Sequence, residues 1–249
     1  MNAMLGRIYA VELRDELRAI VREPTSLFFG IIMPVALFVM FNLLYGHQVA
    51  SAGLSAGTAM VATFGTYGVI TVASLQPGVG VASNRDVGWL RMKQVSAVPI
   101  GISLAAKATA ALLYGVGVLL AMGIAAAAFG TLHASPVALI RLVLVLLIGT
   151  IPFTLVSVAV GLRFRTSAAT AILNALLFPL AILSGLWIPI QFLPTVIGEI
   201  AKFLPTYHLA QLGLAQLGDG TAMIHVLALL ITTVVAAGIA AMSYRHARI

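Results

Sequence analysis

Cysteine is absent from the 249-residue sequence, and charge is scarce. The lack of cysteine excludes disulfide bonds, thiolate metal sites and cysteine nucleophiles. Charged residues make up only 8% of the chain, whereas ordinary soluble domains carry roughly 25%. With 61% hydrophobic residues and a mean hydropathy of +1.09, the chain cannot cover a soluble globule with polar side chains. We therefore expect an all-α polytopic membrane protein with one transmembrane domain over residues 1–249.

Motifs for catalysis are also lacking. There is no Gly-rich loop ending in Gly-Lys-Ser/Thr, so this sequence has no P-loop with which to bind nucleotide phosphates. There is no His-Glu-x-x-His motif, and the 7 acidic residues are scattered. We expect no catalytic site, no metal site and no cofactor in this chain, so energy for transport would come from another subunit. The histidines stand apart without metal-ligand spacing; they are His47, His133, His208, His225 and His246.

Long apolar runs dominate what is present. A helix needs about 20 apolar residues to cross the hydrocarbon core of a bilayer. Six stretches meet this requirement: 27–45, 58–83, 102–129, 137–162, 168–187 and 223–244. With a cytoplasmic N-terminus, only Arg141 and Lys202 of the 14 Lys and Arg residues fall on the opposite side. This bias predicts that both termini are cytoplasmic, and it explains the net charge of +7 without nucleic-acid binding.

Residues 1–23 have the pattern of an amphipathic helix that Pro24 ends. An apolar stripe and a basic stripe occupy separate faces; the first comprises Leu13, Leu17, Ile20 and Val21, and the second Arg7, Arg14 and Arg18. A basic helix before a membrane span is typical of the cytoplasmic headgroup layer, where anionic lipids attract arginine. The alternative is a solvated surface helix. The mixed charges also lead us to expect no cleavable signal peptide.

Two connections between the spans are unusual. Residues 84–101 are the most charged interior segment, and we expect them to form a cytosolic loop between the second and third spans. Residues 188–220 are too apolar for an ordinary loop, yet prolines interrupt them. We predict short amphipathic helices that re-enter the membrane from the extracytoplasmic side, because helices satisfy their own backbone hydrogen bonds there. The residues that mark this segment are Pro189, Pro194, Pro205 and Tyr207.

The order of these motifs resembles the membrane subunits of type-2 ABC exporters, the ABC-2 permease family. In the cytosolic loop the pattern is Arg85-Asp86-x-Gly88-Trp89-Leu90-Arg91, followed by a Ser and by Pro99. Later the chain has Ser184-Gly185, the three prolines and Leu204-Pro-Thr-Tyr207. Ala97 and Leu204 depart from the family pattern, which often has Pro and Asn there. With the six-span layout, the resemblance covers nearly the whole chain.

The resemblance implies the partners and the location of the chain. The loop would contact a separate ABC ATPase, with two such subunits per complex binding ATP and Mg²⁺. A second permease protomer, in a homodimer, would complete the pathway in the lipid of a bacterial cytoplasmic membrane. The residues implied in ATPase coupling are Arg85, Asp86, Gly88, Trp89, Leu90 and Arg91. Alternatively, Arg85 and Asp86 form a solvated loop pair, and Trp89 is an interfacial belt residue.

Polar side chains form stripes on two spans. In the second span these are Thr63, Thr66, Tyr67, Thr71 and Ser74, and in the fifth span Ser167, Thr170 and Asn174. Their hydroxyls could bond to their own helix backbone, which makes ordinary helix packing one interpretation. The family resemblance implies the other, in which both spans line the translocation path or face the second protomer. We predict that Asn174 is the leading single candidate, because a buried amide has several donors and acceptors to satisfy.

Lys107 and Arg141 lie near the ends of spans, where a long cationic side chain can reach the interface. We expect anchoring there, with a role in substrate binding as the alternative.

The leading functional prediction is an export permease for a hydrophobic or amphipathic compound such as a drug or lipid. The low aromatic content, 8%, gives no stacking track for a polysaccharide, which is the alternative substrate. A channel or secondary carrier would show intramembrane charges, broken helices in matching halves or a filter sequence, and none is visible apart from the proline-interrupted segment 188–220. A noncatalytic membrane scaffold is the third possibility.

Overall fold

The computed structural model of the chain describes residues 2–22, 28–50, 54–88, 100–218 and 222–246. These residues form helices joined by short connections, and their only β-type pairing is an isolated bridge between Val49 and Ser55. A π-helical turn, Phe28–Ile32, leads into the second helix, and a 3-10 turn, Ile190–Phe192, follows the seventh. The α-helices are α1 Asn2–Arg22, α2 Met33–Tyr45, α3 Ala56–Asp86, α4 Ile100–Ala128, α5 Pro136–Gly149, α6 Ile151–Arg163, α7 Thr166–Leu183, α8 Thr195–Ala201, α9 Pro205–Ala215 and α10 Met223–His246.

Within the described ranges, five helical segments are long and apolar enough to cross a membrane. They correspond to the predicted second to sixth spans. The predicted first span, 27–45, contains a shorter apolar helix over Gly30–Tyr45. The helical, multi-pass character of the prediction is therefore confirmed, while six complete spans and the cytoplasmic position of both termini stay predictions.

The predicted fourth span, 137–162, consists of two helices. Ser135 caps the start of α5 by accepting a hydrogen bond from the Ala138 backbone N–H, with Pro136 in the first turn. α5 ends at Gly149, and α6 begins at Ile151 with Pro152 in its first turn. Because Pro152 lacks an N–H, the regular hydrogen-bond pattern cannot continue through it. The two helices still form one apolar segment over Pro136–Arg163.

α3 is the central helix. In its most apolar window, 83% of the residues are buried inside the protein, against 11% for α10. Small residues let the neighbouring helices approach. A Cβ added at Gly68 would lie 2.6 Å from Val118 of α4, and one at Gly161 of α6 would lie 2.2 Å from the carbonyl oxygen of Gly78. α3 thus forms the core around which α4 and α6 pack, and α10 is left on the periphery.

The segment between α7 and α10 contains the short helices that the sequence predicts. Pro194 precedes the first turn of α8, and Pro205 lies in the first turn of α9, where a missing N–H costs no hydrogen bond. α9 is packed into the bundle, with Leu209 fully buried against Gly149. Re-entry of these helices into the outer leaflet stays a prediction.

Candidate coupling and translocation site

The charged connection between α3 and α4 begins later than its sequence predicts. Asn84, Arg85 and Asp86 form the last turn of α3, and Ile100 and Gly101 belong to α4, so the predicted loop 84–101 is too long at both ends. The polarity of Asn84, Arg85 and Asp86 resembles a loop, but the helix continues through them, and Arg85 and Asp86 make hydrogen bonds to other helices. Gly88 follows with a φ of +71°, a conformation that favours glycine. Of the predicted coupling residues, Trp89, Leu90 and Arg91 lie outside the described residues. Pro24, the predicted end of the N-terminal helix, also lies outside them.

Arg85 and Asp86 bind the turn between α6 and α7. The Arg85 guanidinium donates to the carbonyl oxygen of Leu162 in the last turn of α6. One Asp86 carboxylate oxygen accepts the backbone N–H of Thr166 at 2.8 Å and its hydroxyl at 2.7 Å. Helix ends leave carbonyls and N–H groups without intrahelical partners, and their dipoles favour a cation at the C-terminus and an anion at the N-terminus. The two side chains therefore cap two helices other than their own.

Asp86 supplies a cap that α7 lacks. The N-cap position of α7 is Arg165, whose side chain makes no capping hydrogen bond. α3 has 31 residues and is about 46 Å long, so its charged end extends beyond a hydrocarbon core of about 30 Å. The hydrogen bonds from the Thr166 backbone and hydroxyl, with smaller contributions from Arg85 and Arg165, hold the pKa of Asp86 below its usual value. The carboxylate is therefore charged at neutral pH.

The polar stripe of α3 lies inside this chain. Thr66, Tyr67, Thr71 and Ser74 are buried, and Thr63 is half-buried. Thr66 donates to the carbonyl of Ala62 at 2.7 Å, and Thr71 donates to that of Tyr67 at 2.8 Å. Both hydroxyls thus bond to their own helix, as the packing interpretation expects. A role of this stripe in translocation stays a prediction.

The polar stripe of α7 has a different environment. Ser167 and Asn174 are exposed, and Thr170 is half-buried. Asn174 donates to the carbonyl of Thr170 at 2.9 Å, and Thr170 donates to that of Thr166 at 2.8 Å. The two predicted stripes therefore do not form one surface within this chain, since one is interior and the other is on the outside.

An aromatic row runs between the two regions. The Tyr67 ring meets Trp187 edge to face with centroids 4.8 Å apart, and Trp187 meets Phe178 in the same way at 5.1 Å. Phe178 is exposed on α7.

The predicted fifth span, 168–187, is too long at its C-terminal end, because α7 stops at Leu183 and Gly185 adopts a φ of +71°.

Among the residues whose burial the structure describes, the fully buried side-chain amide is that of Asn42 of α2, whereas the predicted Asn174 is exposed. The Asn42 side-chain oxygen accepts the hydroxyl of Thr131 at 2.9 Å. Ser55 and Thr58 of the α3 N-terminus donate to the Thr131 carbonyl at 2.6 and 2.9 Å. These contacts join α2, α3 and the connection after α4 at the end of the bundle opposite Asp86. The sequence carries no signal for them, because Thr131 is 73 to 89 residues away from the other three.

The segment marked by Pro189 and Tyr207 brings two histidines together. The Nδ1 atoms of His208 and His225 are 2.9 Å apart, and His208 Nε2 lies 2.9 Å from the Lys202 carbonyl oxygen. Since a carbonyl only accepts, His208 donates through Nε2; in a neutral imidazole the Nδ1 atom then accepts, and His225 is the donor. The ring of Tyr207 contacts both imidazoles. Sequence inspection missed this pair, which spans two helices, and no group of three potential metal ligands occurs among the described residues.

This architecture defines a class of protein. Several apolar helices are long enough to cross a bilayer, and they pack around a nearly buried central helix. The protein is a multi-pass membrane protein.

Comparison with known proteins gives the family. Residues 9–217 match the family model described as ABC-2 type transporter, and since this match spans most of the sequence, the chain belongs to that family. The chain is also 24% identical over 194 residues, 78% of each chain, to a protein of Bacillus subtilis (strain 168) with the name "Putative transport permease YvfS". A transport permease role follows, and the family in general implies a partner ATPase subunit.

Proposed function

We propose that the chain is the membrane-spanning subunit of an ATP-driven exporter. It pairs with separate ABC ATPase subunits, two per complex. These subunits bind ATP and Mg²⁺ and supply the energy for transport, because this sequence has no P-loop. The chain works as a homodimer in a bacterial cytoplasmic membrane and moves a hydrophobic or amphipathic compound out of the cell. Membership of the ABC-2 type transporter family supports this proposal over a channel, a secondary carrier or a scaffold.

The link between Asp86 and Thr166 is the observation that carries the proposal. Asp86 lies directly before the connection where the family resemblance implies ATPase contact. It holds the N-terminus of α7 through two hydrogen bonds, and Arg85 holds the C-terminus of α6. A displacement of that connection would therefore reach three helices at once, as a rigid-body mechanism requires.

The exposed side of α7 suits a pathway shared between two copies. Asn174 and Ser167 place polar groups on this surface, and Phe178 adds an exposed apolar one. A mixed surface of this kind fits an amphipathic substrate better than a dedicated ion path, which would need paired charges. α10, with only 11% of its apolar window buried, is the helix we assign to the surrounding lipid.

Reconstitution tests the proposal. The chain is purified with a candidate ABC ATPase subunit and placed in liposomes, and efflux of fluorescent amphipathic compounds is followed with ATP and Mg²⁺. We expect transport that requires the ATPase, hydrolysable ATP and this chain together. Liposomes with the chain alone, or with a non-hydrolysable ATP analogue, are the controls. Equal transport without the ATPase would instead favour a channel or carrier.

A further inference from the structure

Two polar contacts fasten the N-terminal helix to the bundle. Lys107 of α4 forms an ion pair with Glu16 of α1, with 2.5 Å between Nζ and Oε1. The hydroxyl of Tyr9 in α1 donates to the hydroxyl oxygen of Thr109 in α4 at 2.7 Å. Both contacts are partly buried. They give Lys107 a protein partner, whereas the sequence predicts anchoring at the interface, with substrate binding as the alternative.

The two contacts are spread along α1. Tyr9 and Glu16 are seven residues apart, about 10 Å along a helix, and they contact Thr109 and Lys107 of α4 respectively. α1 is therefore held to α4 at two separate points.

Lys107 also reaches the central helix. A Cβ added at Gly80 of α3 would lie 3.2 Å from the Lys107 Nζ atom. The ammonium is therefore where α1, α3 and α4 meet. Gly80 is six residues before Asp86, so this junction and the Asp86 link to α7 lie within two helical turns of each other on α3.

Burial distinguishes this pair from an ordinary anchor. The Lys107 side chain is 11% exposed and that of Glu16 is 23% exposed, so lipid headgroups have little access to the ammonium. A charge removed from water needs a partner, and loss of one partner leaves the other uncompensated. The chain offers a matched control in Lys202 and Glu199, a 2.7 Å pair whose side chains are 59% and 69% exposed. Ion pairs on the surface contribute little to the stability of a fold.

We propose that Lys107 is a positioning residue that, through Glu16, holds α1 against α3 and α4, so that the interfacial helix and the cytoplasmic ends of both spans move together. The role in transport rests on the proposed function. The positioning of α1 does not depend on it, because the contacts lie within one chain.

Spin labels test the positioning without an ATPase. Since the chain has no cysteine, Val11 and Val87, both exposed, can be changed to cysteine and labelled without side reactions. We expect a narrow distance distribution in the parent chain, a broad one in Lys107→Glu and in Glu16→Lys, and recovery in the Glu16→Lys/Lys107→Glu exchange. Lys202→Glu is the control and should leave the distribution narrow. A narrow distance distribution in both single variants would overturn the proposal. If Glu16→Lys does not insert into the membrane, Glu16→Gln is used in its place.

Transport tests the consequence. We expect each single charge reversal to lower the compound exported per ATP hydrolysed by at least about fivefold, the low end of common coupling energies. The Glu16→Lys/Lys107→Glu exchange should restore the amount of compound exported per ATP hydrolysed. Lys107→Arg should keep this ratio near that of the parent chain. Broad distance distributions together with an unchanged amount of compound exported per ATP hydrolysed would reject a role of the Lys107–Glu16 pair in transport. Absence of ATP-driven transport in the parent chain would count against the proposed function instead, while the spin-label result would still decide the position of α1.

Discussion

The hydroxyl of Thr154 in α6 donates a 3.1 Å hydrogen bond to the carbonyl oxygen of Ala73 in α3. Pro77 lies four residues after Ala73 and has no N–H, so the helical donor to that carbonyl is missing. Water cannot replace this donor in a hydrocarbon environment, and neighbouring helices supply such groups where proline interrupts a spanning helix. Thr154 therefore makes Pro77 tolerable in the central helix and connects α3 to α6 midway along the bundle.

We predict that Thr154→Val, which keeps the side-chain shape, lowers the free energy of unfolding by about 1–3 kcal/mol, because the Ala73 carbonyl loses its partner. Thermal unfolding in detergent measures the change. Thr233→Val is the control, since the Thr233 hydroxyl bonds to Leu229 of its own helix, and that carbonyl does not depend on it. Equal stability of both variants would mean that the Ala73 carbonyl is satisfied in another way.

The close crossing of α3 and α6 gives a second prediction. Gly161→Ala would place a methyl group 2.2 Å from the Gly78 carbonyl oxygen, which is backbone and cannot rotate away. The helices must separate, so we expect a loss of about 1–3 kcal/mol in unfolding free energy. A Cβ at Gly117 of α4 meets no atom of the described residues within 4 Å. Gly117→Ala should therefore leave stability unchanged or raise it, and a loss there as large as at Gly161 would contradict the packing argument.

The Asp86 link predicts a loss of coupling. Asp86→Ala removes the cap of α7, so we expect the ATPase to remain bound while export per ATP hydrolysed falls at least about fivefold. Thr166→Ala should lower export less, because its backbone N–H remains, and the double variant should be no worse than Asp86→Ala alone, since both act on one contact. Additive losses would show that Asp86 acts elsewhere. Val87→Ala, an exposed neighbour, is the control.

The charge distribution predicts the orientation. Val87 and Phe203 are highly exposed, at 73% and 85%, and lie at opposite ends of the helical bundle. With cytoplasmic termini, an impermeant thiol reagent should label Phe203→Cys in intact cells and Val87→Cys only after permeabilisation. The parent chain contains no cysteine and is the blank. The reverse pattern of labelling would reject the positive-inside assignment.

The sequence by itself determines the class of protein and the positions of the long helices. Apolar runs of membrane-spanning length, separated by polar residues, predict α3, α4, α7 and α10 within a few residues of their ends. Prolines such as Pro136 and Pro205 mark helix starts, because a missing N–H is harmless there. Prediction failed at Asn84–Asp86, where polarity resembles a loop but the helix continues, and after Leu183, where Gly185 turns the chain.

Tertiary structure alone decided which side chains meet. Glu16 and Lys107 are 91 residues apart, Asp86 and Thr166 are 80 apart, and no local pattern links them. Helical periodicity shows that Tyr67 and Thr71, four residues apart, share a face, but whether that face meets another helix, lipid or a second protomer depends on how whole helices pack. The same reason explains why Asn174 is exposed and Asn42 is buried. Hydropathy therefore predicts where this chain can enter a membrane, and helix packing decides where each polar group finds its partner.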